Sequence, residues 1–145
     1  MVILNKYYKE VVLSIFLVSL FILAGCQHNK YAEAYFNRGI AYARVEENQQ
    51  AIKDFDKAIE LNPKYASAYN NRGIAYARLG DNQQAIKDFD KAIALKPKLA
   101  QAYYNRAIAY LRLGDDHRAI EDYKSAARLG HKGAQDYLKS KGISW

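Results

Sequence analysis

The sequence predicts an all-α solenoid in which three helix-turn-helix pairs stack and a final helix covers the end. Three observations carry that expectation. The stretch Asn71–Ile93 recurs almost residue for residue thirty-four positions earlier, a looser third copy runs from Ala100 to Gly133, and apolar residues fall at helical spacing within every copy. Repetition at a period of roughly 20 to 50 residues marks a stacked architecture, because one short unit cannot bury its apolar face alone and about three are needed.

The segment before the repeats is of another kind. Lys6 and Lys9 precede the apolar run Val11–Ala24, which only Ser14 and Ser19 interrupt. Crossing a bilayer takes about 20 apolar residues, so this shorter run behind a basic start reads as a secretory signal peptide over residues 1–25. Cys26 is the only cysteine, so no disulfide can form within the chain and the thiol needs another reason. Leu23-Ala24-Gly25-Cys26 resembles the lipobox of bacterial lipoproteins. That resemblance implies cleavage before Cys26, lipid (palmitate-type acyl chains) on its sulfur and amine, and stable anchoring, since each buried methylene contributes about 0.8 kcal/mol. Gln27 in the following position fits sorting to an outer membrane, facing the periplasm. Residues 26–31 then form a short tether. Gln27, His28, Asn29 and Lys30 span roughly 14 Å when extended, which holds the folded part close to the membrane.

With 145 residues and 50% hydrophobic content the chain has one domain's length and enough apolar side chains for a core. Its net charge of +7 admits nucleic acid, anionic lipid or acidic protein as partners. The charges are distributed over every repeat without a block of consecutive Lys or Arg, and an exported chain does not meet nucleic acid. Solvated helix faces are the simpler reading of most of them.

The repeats occupy residues 32–133, divided as 32–65, 66–99 and 100–133. Tyr35, Gly39 and Tyr42 fall at i, i+4 and i+7, and Ala51, Phe55 and Ala58 do so in the next helix. The breaks between paired helices are Glu46-Glu47-Asn48, Gly80-Asp81-Asn82 and Gly114-Asp115-Asp116, where Gly or a polar residue ends one helix and Asp or Asn can cap the next. Pro63 and Pro97 close the second helix of the first two pairs. The third copy has His131 in that register, with Gly130 and Gly133 expected to supply the stop. Residues 134–145 read as a capping helix and tail, Ala134, Tyr137 and Leu138 facing inward and Gln135, Asp136, Lys139 and Lys141 outward, with Gly142 ending the helix. Trp145 either packs on the third repeat or inserts elsewhere.

These positions resemble the tetratricopeptide repeat (TPR) family. The first copy supplies Tyr35, Gly39, Tyr42, Ala51, Phe55, Ala58 and Pro63; the second supplies Tyr69, Gly73, Tyr76, Ala85, Phe89, Ala92 and Pro97. The third matches with Tyr103, Tyr110, Ala119, Tyr123 and Ala126, and departs at Ala107 and His131. The resemblance implies a right-handed α-solenoid. Gly39 and Gly73 each cost about 1 kcal/mol in a helix relative to Ala, which close approach of the paired helix would offset.

No enzyme signature is present: no Gly-rich phosphate loop, no His-Glu-x-x-His, no cysteine pair and no nucleophile arrangement. No metal or cofactor is expected. His28, His117 and His131 read as surface residues, and the pairs Asp54/Asp56 and Asp88/Asp90 as a solvated outer face, since residues two apart on a helix do not converge on one ion.

Binding is the function that remains. In TPR proteins the first helices line a concave groove, which places Asn37, Asn71 and Asn105 in one ladder and Arg44, Arg78 and Arg112 in another. Ile40, Ile74 and Ile108 share that surface, with Phe36 and Tyr104 beside them. The Asn ladder resembles those of superhelical TPR proteins that hold extended peptides, but recent duplication also accounts for it. Arg38, Arg72 and Arg106 take a register that packs between helices. The clamp by which some family members grip chaperone carboxylates corresponds here to Phe36, Ile40, Asn71, Gln101 and Asn105, of which only Asn71 matches. The expectation is therefore a non-catalytic, lipid-anchored scaffold that binds a protein partner through an extended segment. A structural or self-associating component of an envelope assembly is the alternative, so oligomeric state stays open.

Overall fold

The computed structural model describes residues 14, 15, 18 and 27–145. The expected signal peptide, its lipobox and the Cys26 anchor lie outside the described residues, and residues 27–31, expected as an extended tether, already belong to the first helix. Among those described, no helix is long and apolar enough to cross a membrane.

Seven helices and no strand are present among the described residues: α1 (27–44), α2 (Asn48–Leu61), α3 (Ala66–Arg78), α4 (Asn82–Leu95), α5 (Ala100–Arg112), α6 (Asp116–Arg128) and α7 (Lys132–Ser140). They stack in chain order. α3 packs on α4 and α5 on α6 within pairs, α2 on α3 and α4 on α5 between pairs, and α7 on α6 at the end.

The close approach anticipated at the glycines is found. A methyl group added to Gly39 would come within 2.7 Å of the Phe55 ring, and one added to Gly73 within 2.7 Å of the Phe89 ring. Both rings are fully buried, which at about 2 kcal/mol per apolar side chain makes them the anchors of the first two pairs. In the third pair Ala107 takes the place of the glycine and is fully buried in a cluster with Tyr110 and Tyr123.

The helix breaks differ among copies for local reasons. Gly80 and Gly114 take φ of 88° and 78°, the left-handed region that glycine enters without a Cβ penalty. Asp81 and Asp115 then accept the backbone N–H of Gln84 and Arg118 and cap α4 and α6. The first copy has Glu46 at the same point, forced to φ 63°, and Glu47 makes no side-chain cap. Asn48 and Asn82 do not cap either; each turns its amide back to the carbonyl of Glu46 or Gly80.

At the C-terminal end the expectation holds in outline and needs one correction. Gly130, at φ 87°, supplies the stop after α6, whereas Gly133 lies inside α7. His131 replaces the proline register with a cap of its own: its Nδ1 accepts the N–H of Ala134. Ala134 and Leu138 are fully buried, Tyr137 stacks 4.2 Å from Tyr123, and Gln135 turns inward to donate to the Ala127 carbonyl. Gly142 follows α7 at φ 68°, and Trp145 is 45% exposed.

Replacing Glu46 by Gly should raise stability by about 1 kcal/mol, because it removes a side chain from a left-handed backbone position. Thermal melting of Glu46→Gly against the parent chain measures it, and an unchanged or lowered midpoint contradicts the assignment of strain.

Candidate peptide-binding groove and the ion pairs behind it

Every pair is tied internally by an arginine on its first helix and an aspartate sixteen residues later on its second. Arg38 donates to Asp54 through Nε and Nη2 at 2.6 and 2.7 Å, Arg72 to Asp88 at 2.8 and 2.6 Å, and Arg106 to Asp122 at 2.7 Å through both. This bidentate fork is the strongest common form of side-chain ion pair. The remaining Nη1 reaches across the seam: Arg72 donates to Asp56 of the preceding pair at 2.6 Å, and Arg106 to Asp90.

The solvated-face expectation for Asp54/Asp56 and Asp88/Asp90 is therefore corrected. Asp54, Asp88 and Asp122 are buried. Asp56 and Asp90 are half exposed but paired, at side-chain exposures of 49% and 51%. Two residues apart, the members of each pair do point to different sides, and the sides hold two different arginines. The recurrence of Arg and Asp sixteen apart in all three copies was the available signal. Burial pushes the Asp88 carboxyl above its ordinary range, against the pull of Arg72. Burial also opposes the charges of Arg72 and Arg106, and the carboxylates around them outweigh it, holding both guanidinium pKa values above the usual range.

The forks fix the first helices side by side, and a hollow of about 150 Å³ opens between α3 and α5, lined by Ile74, Ala77, Arg78, Phe89, Asn105, Ile108 and Arg112. Five of the residues selected from sequence meet there. Ala77 and the Phe89 ring, neither of them among the groove residues expected from the sequence, complete the wall.

The other selected residues go elsewhere. Phe36 lies in a seam, its ring 5.9 Å from Phe55 and 4.7 Å from Tyr65. Tyr104 takes the same register in the third pair, 5.6 Å from Tyr123 and stacked 4.1 Å from His131. The phenol of Tyr123 beneath it is pushed up to about 12 by burial and stays neutral. Arg44 lines a separate open hollow with Ala43, Glu46, Asn48 and Arg78. Ile40 is half-buried and Asn37 exposed, both outside the hollow.

The asparagine ladder is not uniform. Asn71 donates to the Ser67 carbonyl of its own helix at 2.8 Å. Asn105 donates to Asn70 Oδ1 at 3.1 Å and accepts from Gln101 at 3.0 Å, so it acts between pairs. The arginine ladder does recur: Arg78 donates to the Ala43 carbonyl and Arg112 to the Ala77 carbonyl, both at 2.7 Å, satisfying acceptors at the end of the preceding first helix. Among the described residues no group of three His, Cys, Asp or Glu side chains is placed to hold a metal.

Two overlapping stretches, residues 36–100 and 78–134, match the family described as Tetratricopeptide repeat. The chain belongs to the TPR family. Among solved structures it is similar to the first TPR of Spaghetti (RPAP3) bound to the HSP90 peptide SRMEEVD, at 25% identity and TM-score 0.74 over 77% of this chain and 90% of that one. The Arabidopsis OM64 TPR domain aligns at 28% identity and TM-score 0.73 over 79% and 98%. MamA aligns at 36% identity and TM-score 0.66 over 72% of this chain, which spans 61% of the length of that one. No curated protein matches the chain. TPR proteins are in general interaction scaffolds, and a peptide is the bound partner in the Spaghetti neighbour.

Arg72→Leu should cost about 3 kcal/mol at neutral pH, since it leaves Asp88 charged and buried without a partner. The sign with pH follows from the raised carboxyl. A raised folded pKa contributes stability below the unfolded value and loses it as pH rises through the folded value, and removing Arg72 raises it further. The deficit measured by denaturant unfolding should therefore shrink from pH 7 toward about pH 4; a constant deficit contradicts it.

Proposed function

We propose that this TPR protein is a non-catalytic scaffold that holds an extended segment of a partner protein across α3 and α5, at the surface of a bacterial envelope. The observation that carries the reading is the hollow in which Ile74 and Ile108 form an apolar floor between Arg78, Arg112 and Asn105. Its volume of about 150 Å³ suits one apolar side chain of a peptide, and exposed guanidinium groups border it.

The mode of binding differs from a grip on a peptide's terminal carboxylate. Of the residues corresponding to the carboxylate clamp, only Asn71 has the required type, and it is turned to its own helix. An apolar side chain with acidic neighbours is the better complement.

Cys26 and the lipobox support the place of action: a lipid-anchored protein of the outer membrane, facing the periplasm. α1 begins at residue 27, directly after Cys26, and this keeps the groove near the lipid surface.

Peptides selected for binding from a random library should lose affinity about tenfold or more to Ile108→Asp, measured below the midpoint that the loss of its packing on the third-pair core lowers, because the floor of the hollow would carry a charge. Equal affinity of the variant for every selected peptide would falsify the groove assignment. For the anchor, Cys26→Ala in the intact chain should move the protein from the membrane to the soluble fraction and abolish acyl labelling; retention in membranes points to an uncleaved helix.

A further inference from the structure

Two contacts recur where one pair stacks on the next and a third is made once, and each has an unused counterpart on α1. Tyr65 packs its ring 4.7 Å from Phe36 of the preceding pair, while Tyr31, in the same register, is 57% exposed. Arg72 and Arg106 give Nη1 to Asp56 and Asp90 of the preceding pair. Arg38 uses Nε and Nη2 on Asp54, and its Nη1 meets no acceptor among the described residues. Exposure follows the count of partners, at 58% for the Arg38 side chain against 16% and 19% for Arg72 and Arg106. Arg78 and Arg112 close on carbonyls of the preceding first helix, whereas Arg44 is exposed with no such carbonyl among the described residues.

The other end of the stack is finished. α7 covers the third pair, and the register of Asp56 and Asp90 there holds Lys124, turned to Glu121 of its own helix at 2.9 Å. An aspartate in that register would serve only a following pair, and none is provided for.

We propose that the outer face of α1 is a docking surface for an acidic helix of another protein, lying on α1 as α2 lies on α3. A carboxylate of that helix meets Nη1 of Arg38, and an apolar side chain covers Tyr31. The end of the helix paired with it offers a carbonyl to Arg44. The chain does not complete this face from its own repeats, because the register one period before Asp56 is Ile22, which has no carboxylate. A second copy fits poorly. Its C-terminal end brings Lys124 and α7, and its N-terminal end brings another Arg38 and Arg44, so like charges meet in either arrangement.

The probe is a fluorescent, hydrocarbon-stapled helix with the α2 sequence NQQAIKDFDKAIEL, whose second aspartate is the one that Arg72 takes in the fold. Titrated with the full chain in detergent micelles, it should bind saturably. Changing that aspartate to asparagine should weaken binding about tenfold, Arg38→Gln should weaken it equally, and combining the two should add nothing further. Arg38 also holds Asp54, so the change on the probe, which leaves the protein intact, decides the matter if Arg38→Gln unfolds it. Equal binding of the acidic and amide probes, or none, overturns the proposal. So does loss of probe binding in Ile108→Asp, which would place the helix in the groove. Sedimentation showing self-association that Arg38→Gln abolishes would give the face to a second copy and overturn it as well.

Discussion

The buried fork between an arginine and an aspartate sixteen residues on is the constraint from which the architecture follows. An aspartate such as Asp88, 4% exposed in its side chain, cannot remain ionised in an apolar seam without a partner, and desolvation of the guanidinium is costly too. Two parallel hydrogen bonds resolve both costs in one orientation only. That orientation fixes how the first helix of a pair rolls against its second. The third donor then reaches an aspartate on the preceding pair, so one side chain sets the geometry within a pair and between pairs. The hydrophobic contacts supply most of the stability, but they tolerate sliding, and the forks do not.

The groove is a by-product of that arrangement. α3 and α5 are held apart by α4, which packs on both, and the space left in front of Phe89 is the hollow. Its floor is apolar because isoleucine recurs in the register facing it. Its rim is basic because Arg78 and Arg112 sit at helix ends, where they satisfy the carbonyls of the preceding pair and leave part of each guanidinium in solvent. In the proposed reading, structural and binding duties fall on the same two residues.

Much of the fold was legible in the sequence because it rests on period and on small residues. Gly39 and Gly73 pointed to close approach, and the rings of Phe55 and Phe89 are found against them. Gly80, Gly114, Asp81 and Asp115 marked the breaks by conformational and capping rules that act within a few residues. The buried aspartates were not read correctly, since charge on a helix predicts solvent until a partner is located sixteen residues away on another helix. Part of the groove was legible too, in Ile74, Arg78, Asn105, Ile108 and Arg112. Phe36, Tyr104 and Asn71 share registers with groove positions, but register does not say how a side chain spends itself. Two rings fell into seams, and one amide bonded its own helix.

Two adjacent units this similar raise a problem of folding. A segment from the second unit could take the place of its twin in the first, displacing the chain by one full period at little local cost. Lys124 limits how far such an error can run. It stands in the register of Asp56 and Asp90, so the arginine of any further pair stacked beyond the third would meet a cation there. The lone departure from the acidic pattern thus marks where a nearly periodic chain stops stacking.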